Sequence, residues 1–268
     1  MTRQIFGMQP VREAIRAHGN ELRCVFVQND GGPKLDAVAR FAADHGIAVE
    51  RVPRGELDRR TKNGFHQGVL AIAPEVALVA LDDLKVDPNT LILALDGVMD
   101  PHNFGAAIRS AVALGATGIV WPEHASAPLS PATFRASAGA VEHATLCRVP
   151  ALPQALHELK DRGVTPIALD VRGTSELSDL SLTGPLAIVI GAEDRGPRKP
   201  VLAACTHVAR LPLKGPVTAL NASVAAAIAL YEVGQQRRAA RPSEATATME
   251  NARSAVSETA SDPILDDE

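Results

Sequence analysis

The sequence predicts an α/β protein in two parts: a small α/β module, then a larger domain built on a parallel sheet with helices on both faces. Three observations predict it. After residue 90, six short apolar runs (91–95, 118–121, 144–149, 165–169, 186–190 and 207–211) are separated mostly by stretches of helical character. Strands buried on both faces read as continuous apolar runs, and the helices between them cover those faces. Before residue 75, shorter strand-like and helix-like segments alternate on their own. Between the two parts, the segment 75–89 ends in a polar stretch and reads as a linker.

Taken in order, residues 10–17 form a short helix with Pro10 in its first turn, where a proline costs no hydrogen bond. Residues 22–28 alternate and are β-prone, and Asn29 to Gly32 supply the turn. Leu35, Val38, Ala39 and Ala42 fall on one side of a helix over 35–45, and Gly46 ends it. Residues 47–52 and 69–72 are further strands, which assigns 1–74 to the first module. The second domain occupies 90–238. The last stretch, 239–268, is rich in Ala, Ser, Thr and Glu with few large apolar residues, and is expected to be disordered.

Composition narrows the function classes. The 268 residues suffice for one large domain or two modest ones, and 46% hydrophobic with 22% charged residues is ordinary for a soluble globular chain. Aromatics make up 3%, so any nucleic-acid binding should rest more on charge and backbone contacts than on many stacked bases. Cys24, Cys147 and Cys205 lie far apart with no CxxC pair, which argues against a zinc site or any other metal, and against a redox dithiol. The start, MTRQIFGMQPVREA, has no apolar core of signal-peptide length, and no run approaches the ~18 apolar residues of a membrane span. A cytoplasmic protein without a membrane partner is expected. The net charge of −4 is unevenly placed: residues 240–268 hold seven acids and two bases, whereas residues 1–72 hold eleven Lys and Arg against eight Asp and Glu. The body is therefore mildly basic, which is compatible with RNA.

Three places carry chemistry. The first is DGVMDPHNFGAAIR over 96–109, where a strand ends and a loop leads into a helix that Asp100 can cap and Pro101 can begin. Asn103 falls in the first turn and Arg109 deeper in, beyond the carboxyl end of a strand, where open α/β sheets bind ligands. A capped helix with a solvated Arg109 explains the same spacing. The second is IVIGAEDRG over 188–196, a strand ending in a turn with Gly191, Glu193 and Gly196; it lacks the GK[ST] ending of a phosphate loop and also reads as an ordinary turn. The third runs from Leu211 to Tyr231, a loop leading into a helix that is apolar nearly all round over 224–230 and must be buried or lie in a subunit interface. Asn221 and Ser223 stand at its start, as plain caps or as ligand-binding groups.

The order and wording of the three together are distinctive. Residues 90–238 resemble the SpoU, TrmH-like branch of the SPOUT methyltransferases: Asn103, Gly105 and Arg109 match its first motif, Gly191, Glu193 and Gly196 its second, and Leu220, Asn221, Ser223 and Ala225 its third. GMQPVREAI near the start and the turn His66-Gln67-Gly68-Val69 are similar to the ribosomal-protein-like substrate-binding domain of bacterial guanosine 2'-O-methyltransferases acting on large-subunit ribosomal RNA. Two positions depart from the pattern: Ala219 stands where a serine is common, and Pro197 where a larger aliphatic residue is usual.

The resemblance implies an α/β-knot, a trefoil-knotted parallel sheet that sequence physics alone disfavours because threaded chains are rare. It implies S-adenosyl-L-methionine as cofactor, held against backbone at Gly191, Leu211 and Leu220 with Gly196 in the same turn, and a homodimer with its sites at the interface. It implies catalytic roles for Arg109, Asn103, Glu193, Asn221 and Ser223, with the last three orienting Arg109 and the ribose. The family's proposed role for the motif-one arginine is that of base. A free guanidinium is neutral about once in a million at pH 7, a penalty of ~8 kcal/mol, so gripping a neighbouring phosphate is the easier role to defend. Arg51, Arg54, Arg59, Arg60 and Lys62 are candidate contacts to RNA phosphates, or a solvated surface. The expected activity is methylation of a guanosine ribose 2'-hydroxyl in 23S ribosomal RNA. The alternatives are a tRNA ribose methyltransferase and a non-catalytic RNA-binding assembly factor on the same fold.

Overall fold

The computed structural model describes residues 2–240. Its first part is a four-stranded sheet: β1 (Thr2–Phe6), β2 (Cys24–Gln28), β3 (Val49–Val52) and β4 (Val69–Pro74), in the order β1-β4-β2-β3. Only β2 and β3 run parallel; β4 is antiparallel to both of its neighbours. Helices α1 (Met8–His18) and α2 (Gly32–Asp44) cover one face, burying Val11, Ala14 and Ile15 from α1 and Leu35, Val38, Ala39 and Ala42 from α2. On the other face lies α3 (Arg54–Arg60), which buries Leu57 against Phe6, Phe26 and Leu70. Neither β1 nor α3 is among the elements expected from the sequence. β1 is half polar, with only Ile5 and Phe6 buried, and α3 places one apolar side chain among six polar or glycine residues, so neither carries a strong hydrophobic period.

The second part is a seven-stranded sheet: β5 (Leu91–Asp96), β6 (Gly118–Pro122), β7 (Leu146–Val149), β8 (Thr165–Leu169), β9 (Ser175–Glu176), β10 (Leu186–Gly191) and β11 (His207–Arg210). The order is β7-β6-β5-β10-β8-β11-β9, and every pairing is parallel. β5 and β10 are buried at every position, which is why they read as unbroken apolar runs. One face is packed by α4 (Pro101–Ala113) and α8 (Ala222–Ala240), with α5 (Pro131–Ala136) outside α4. The other is packed by α6 (Leu152–Asp161) and α7 (Lys199–Ala204). β6 and β7 lie on one side of β5 and β10 on the other, so the strand order reverses there, between the two motif-bearing loops.

The segment expected as a linker is docked. Leu78 bridges to Leu146, Val79 N–H donates to Leu146 O at 2.9 Å, and Leu84 is buried in the α6–α7 side of the core. The two parts also meet directly. Arg3 and His18 both bind the buried carboxylate of Glu142, the second at 2.8 Å, and His143 meets Glu13 at 3.0 Å. At Gly139 (φ +87), a Cβ would meet Glu13 Cβ at 2.7 Å and Pro10 Cα at 3.0 Å, so the backbones approach too closely for a side chain. α8 continues through residues 239 and 240, which were expected in the disordered tail; the rest of that tail lies outside the described residues.

Candidate active site

β5 and β10 are hydrogen-bonded neighbours, with Asp96 paired to Gly191 at their carboxyl ends. From Asp96 the chain turns through Gly97 (φ +78) into α4, whose cap is the Asp100 carboxylate, accepting from the N–H groups of His102 at 3.1 Å and Asn103 at 3.3 Å. That cap fixes the first turn and with it Asn103. From Gly191 the chain makes a tight reversal in which Gly196 N–H donates to Ala192 O at 2.8 Å. A Cβ on Gly191 would stand 2.0 Å from both Gly196 C and Pro197 N, so only glycine fits. Asp96, fully buried, fastens the far side of this turn: it accepts from Arg198 N–H at 2.7 Å and from the Arg198 guanidinium at 2.8 Å. The turn thus carries Glu193 out over the start of α4.

The third element completes the arrangement. Asn221 Oδ1 accepts from Ser223 N–H at 2.9 Å, Val224 N–H at 3.4 Å and Ser223 Oγ–H at 2.6 Å, so Asn221 caps α8. With its oxygen so committed, its Nδ2 points the other way and donates to Asn103 Oδ1 at 2.7 Å. Asn103 must then present its own Nδ2 outward, and that group donates to Glu193. Neither amide can be flipped without setting donor against donor or acceptor against acceptor. Four residues from three distant segments therefore form one polarised chain from the α8 cap to the Glu193 carboxylate. Capping and contact with the site use opposite ends of the same Asn221 amide.

Arg109 is not part of that chain. It is exposed, and among the described residues its side chain makes no hydrogen bond or ion pair. It follows Asn103 by six residues, which on a helix is about 9 Å along the axis and about 120° around it. The expectation that Glu193, Asn221 and Ser223 orient Arg109 is therefore not met within one protomer, for this geometric reason. Those residues orient Asn103 instead.

The cofactor-holding candidates surround the same edge. Gly191 is buried, Gly196 has φ +69, and Leu211 and Leu220 are half-buried at the two ends of the loop before α8. No residue from 212 to 220 makes a hydrogen bond to another described residue, so this loop offers free backbone donors and acceptors. Met99, Leu213 and Val217 expose apolar side chains from the loops after β5 and β11. A side-chain-free turn, unpaired backbone and loose apolar groups suit a nucleoside with a flexible thioether-derived chain, and the residues fit S-adenosylmethionine. Of the two departures, Pro197 is buried in the turn and Ala219 is exposed.

The five basic candidates cluster on β3, α3 and the turn after it. Arg51 is paired with Asp36 at 2.5 Å, Arg54 with Asp58 at 3.9 Å, and Arg59 and Arg60 share Glu56. Those two arginines hold the Glu56 carboxyl below its ordinary range. The three pairs within α3 sit three and four residues apart, a helical spacing, whereas Arg51 reaches Asp36 on α2, fifteen positions away. Lys62 has no acid partner. Among the described residues no cluster of His, Cys, Asp or Glu could hold a metal ion, and no helix is long and apolar enough to cross a membrane.

Residues 90–231 match the family model described as the SpoU rRNA Methylase family, and residues 4–78 the model described as RNA 2'-O ribose methyltransferase substrate binding. An uncharacterized tRNA/rRNA methyltransferase of Mycolicibacterium vanbaalenii is 36% identical over 246 residues, covering 89% of this chain and 78% of that protein. The SpoU methyltransferase AviRb from Streptomyces viridochromogenes, solved in complex with the cofactor AdoMet, superposes with a TM-score of 0.73 at 25% identity over 90% of this chain and 92% of its own. A solved RNA 2'-O ribose methyltransferase gives 0.73 at 27% identity, covering 88% of this chain and 89% of its own.

Proposed function

The chain belongs to the SpoU family of RNA 2'-O-ribose methyltransferases, and from that premise we propose that it methylates a guanosine 2'-hydroxyl in 23S ribosomal RNA with S-adenosyl-L-methionine as donor. The observation that carries the reading is the single hydrogen-bonded chain joining Glu193, Asn103, Asn221 and Ser223 at the reversal of strand order. A structural role alone does not require three motifs to converge on one exposed polar edge. Support for ribosomal RNA over transfer RNA comes from the first domain, which matches the substrate-binding model and whose GMQPVREAI and His66–Val69 segments are similar to the substrate-binding domain of the large-subunit ribosomal RNA enzymes. The three free cysteines fit a reducing cytoplasm.

When bound, the cofactor supplies a methyl group activated by its sulfonium. The chain's own work is to align the ribose and manage the hydroxyl proton. The orientation-locked Asn103 and Glu193 give fixed donor and acceptor sites, which supply alignment without reorganisation. Exposed Arg109, with its planar fork free, suits a phosphate beside the target ribose. Nothing in one protomer desolvates it, which favours clamp over base.

The active form is a homodimer in this reading. Val224, Ile228 and Tyr231 are 45%, 43% and 52% exposed and fall at i, i+4 and i+7, one apolar stripe on α8, while the opposite side buries Ala222, Ala226, Ala229, Leu230 and Val233. A second copy covering that stripe brings its own residues to the site edge beside Asn221. Sedimentation at micromolar concentration should show a dimer; a monomer would count against it. The deciding experiment is methyl transfer to ribosomal RNA from a strain lacking this gene, followed by nucleoside mapping. Methylated guanosine in 23S RNA is expected. Transfer only to tRNA would overturn the substrate, and loss of S-adenosylmethionine binding in calorimetry would overturn the enzyme.

A further inference from the structure

A concave site whose lining includes none of the motif residues lies at the junction of the two domains. It is a cavity of about 780 Å³, within the size range of small-molecule and nucleotide pockets. Its apolar wall is made by Phe6 of the first domain, Leu78 of the connecting segment, and Leu129 and Phe134 of the second. Four cations line it, but two are already matched: Arg3 by Glu142 and Arg60 by Glu56. The other two face it unmatched. The side chains of Lys62 and Arg135 make no hydrogen bond or ion pair among the described residues, and Arg135 only lies over the Phe6 ring at 5.5 Å. These two come from different domains.

The turn that presents Lys62 is built rather than slack. Lys62 (φ 52) and Asn63 (φ 59) are successive non-glycine residues in the left-handed region, a conformation that persists only where its surroundings enforce it. Enforcement comes from Asn63 N–H to Asp58 O at 2.8 Å, Gly64 N–H to Thr61 O at 3.1 Å, and Thr61 Oγ–H to Leu57 O at 2.8 Å. Gly64 presses on Phe6, whose ring carbons would lie 2.8 and 2.9 Å from a Cβ there. The next residue, Phe65, is 75% exposed in a chain with few aromatics. Unmatched cations, an apolar wall and an exposed aromatic ring next in sequence to the lining residue Gly64 form the recognition set for single-stranded RNA: phosphates on the cations, a base on the apolar surface, a second base stacked on the ring. Glu75, the acid in the lining, repels phosphate but can accept from a base amino group.

Resting on the RNA reading above, we infer that the inter-domain cleft receives an unstacked nucleotide from a single-stranded segment of the substrate RNA, with adjacent phosphates on Lys62 and Arg135 and a neighbouring base on Phe65. A duplex cannot enter, because its bases are not free. The cleft therefore recognises substrate by an unpaired segment beside the target.

The test uses the full chain and two probes, a mixed-sequence single-stranded RNA and a blunt RNA duplex of equal length, over a series of salt concentrations. For the double variant Lys62→Gln/Arg135→Gln, the slope of log affinity against log salt for the single strand should fall by about 1.4, roughly 0.7 per phosphate contact. Phe65→Ala should weaken the single strand roughly tenfold at fixed salt with the slope unchanged. Duplex affinity should be unchanged in both, and unchanged S-adenosylmethionine binding certifies the fold. Wild-type binding with no change in the variants, or an equal loss for duplex, overturns the cleft proposal alone. A wild type that binds neither probe and methylates no RNA overturns the functional reading as well.

Discussion

At the scale of single residues, the site is a matter of which atom of each amide points where. The α8 cap commits Asn221 Oδ1, and this sets Asn103 and so the acceptor demanded of Glu193. Glu193→Gln can keep that contact only by turning its amide oxygen toward Asn103, and the charge that polarises the chain is lost either way. We expect kcat to fall at least tenfold in Glu193→Gln, with S-adenosylmethionine affinity within about threefold of wild type; equal methylation by the variant would remove the chain from the mechanism. Arg109→Lys keeps a charge but loses the fork, so most methyl transfer should vanish while cofactor binding stays. Near-normal activity there would reject both clamp and base. The residue types were legible in the sequence, whereas their connection was not: Asn103 and Asn221 lie 118 positions apart, and no spacing rule links them.

At the scale of elements, the turn after β10 is held from three sides. Gly191 has no room for a side chain, Asp96 fastens Arg198, and Asp170 lies beside Gly196, where a Cβ would come within 2.9 Å of its carboxylate. Hydrogen bonds from Arg172 hold the Asp170 carboxyl below its ordinary range. A depressed carboxyl adds stability that is present above its unfolded pKa and is lost as pH falls through the folded one, so this support should hold at neutral pH and fail only in acid. Gly191→Ala must push the Gly196–Pro197 backbone away, and overpacking of this kind costs about 1–3 kcal/mol. The expected result is a lower melting temperature and cofactor binding weakened by more than tenfold. Gly184→Ala, where nothing lies within 4 Å of the added carbon, is the matched control and should leave binding unchanged. The sequence showed a strand ending in a glycine turn at 188–196, yet not why the glycine is obligatory, because the clash is with backbone folded back upon it.

At the scale of the whole molecule, the two domains are joined by more than a connecting segment. The Glu142 side chain is buried and binds Arg3 and His18 across the junction, and the Gly139 backbone packs directly on α1. Truncation there leaves a buried guanidinium without its carboxylate, and breaking a buried pair from one side costs about 3–5 kcal/mol. Glu142→Ala should therefore uncouple the domains, turning one thermal transition into two, with the first domain melting earlier; a single unshifted transition would show the latch to be idle. By itself, the sequence determined the two-part α/β architecture, six of the seven strands of the large sheet, the cap of α4 and the identity of the motif residues. The first three are written in local chemistry, in unbroken apolar runs, turn residues and a carboxylate before a proline, and the motif residues in their resemblance to the family's motifs. It did not determine the polar chain through Asn103, the exclusion of Arg109 from that chain, the docked connecting segment or the cleft between domains. Those depend on side chains that meet only after strands far apart in the chain become neighbours, and helix phase, which places Arg109 about 120° away from Asn103, decides contacts that a motif read as a string cannot.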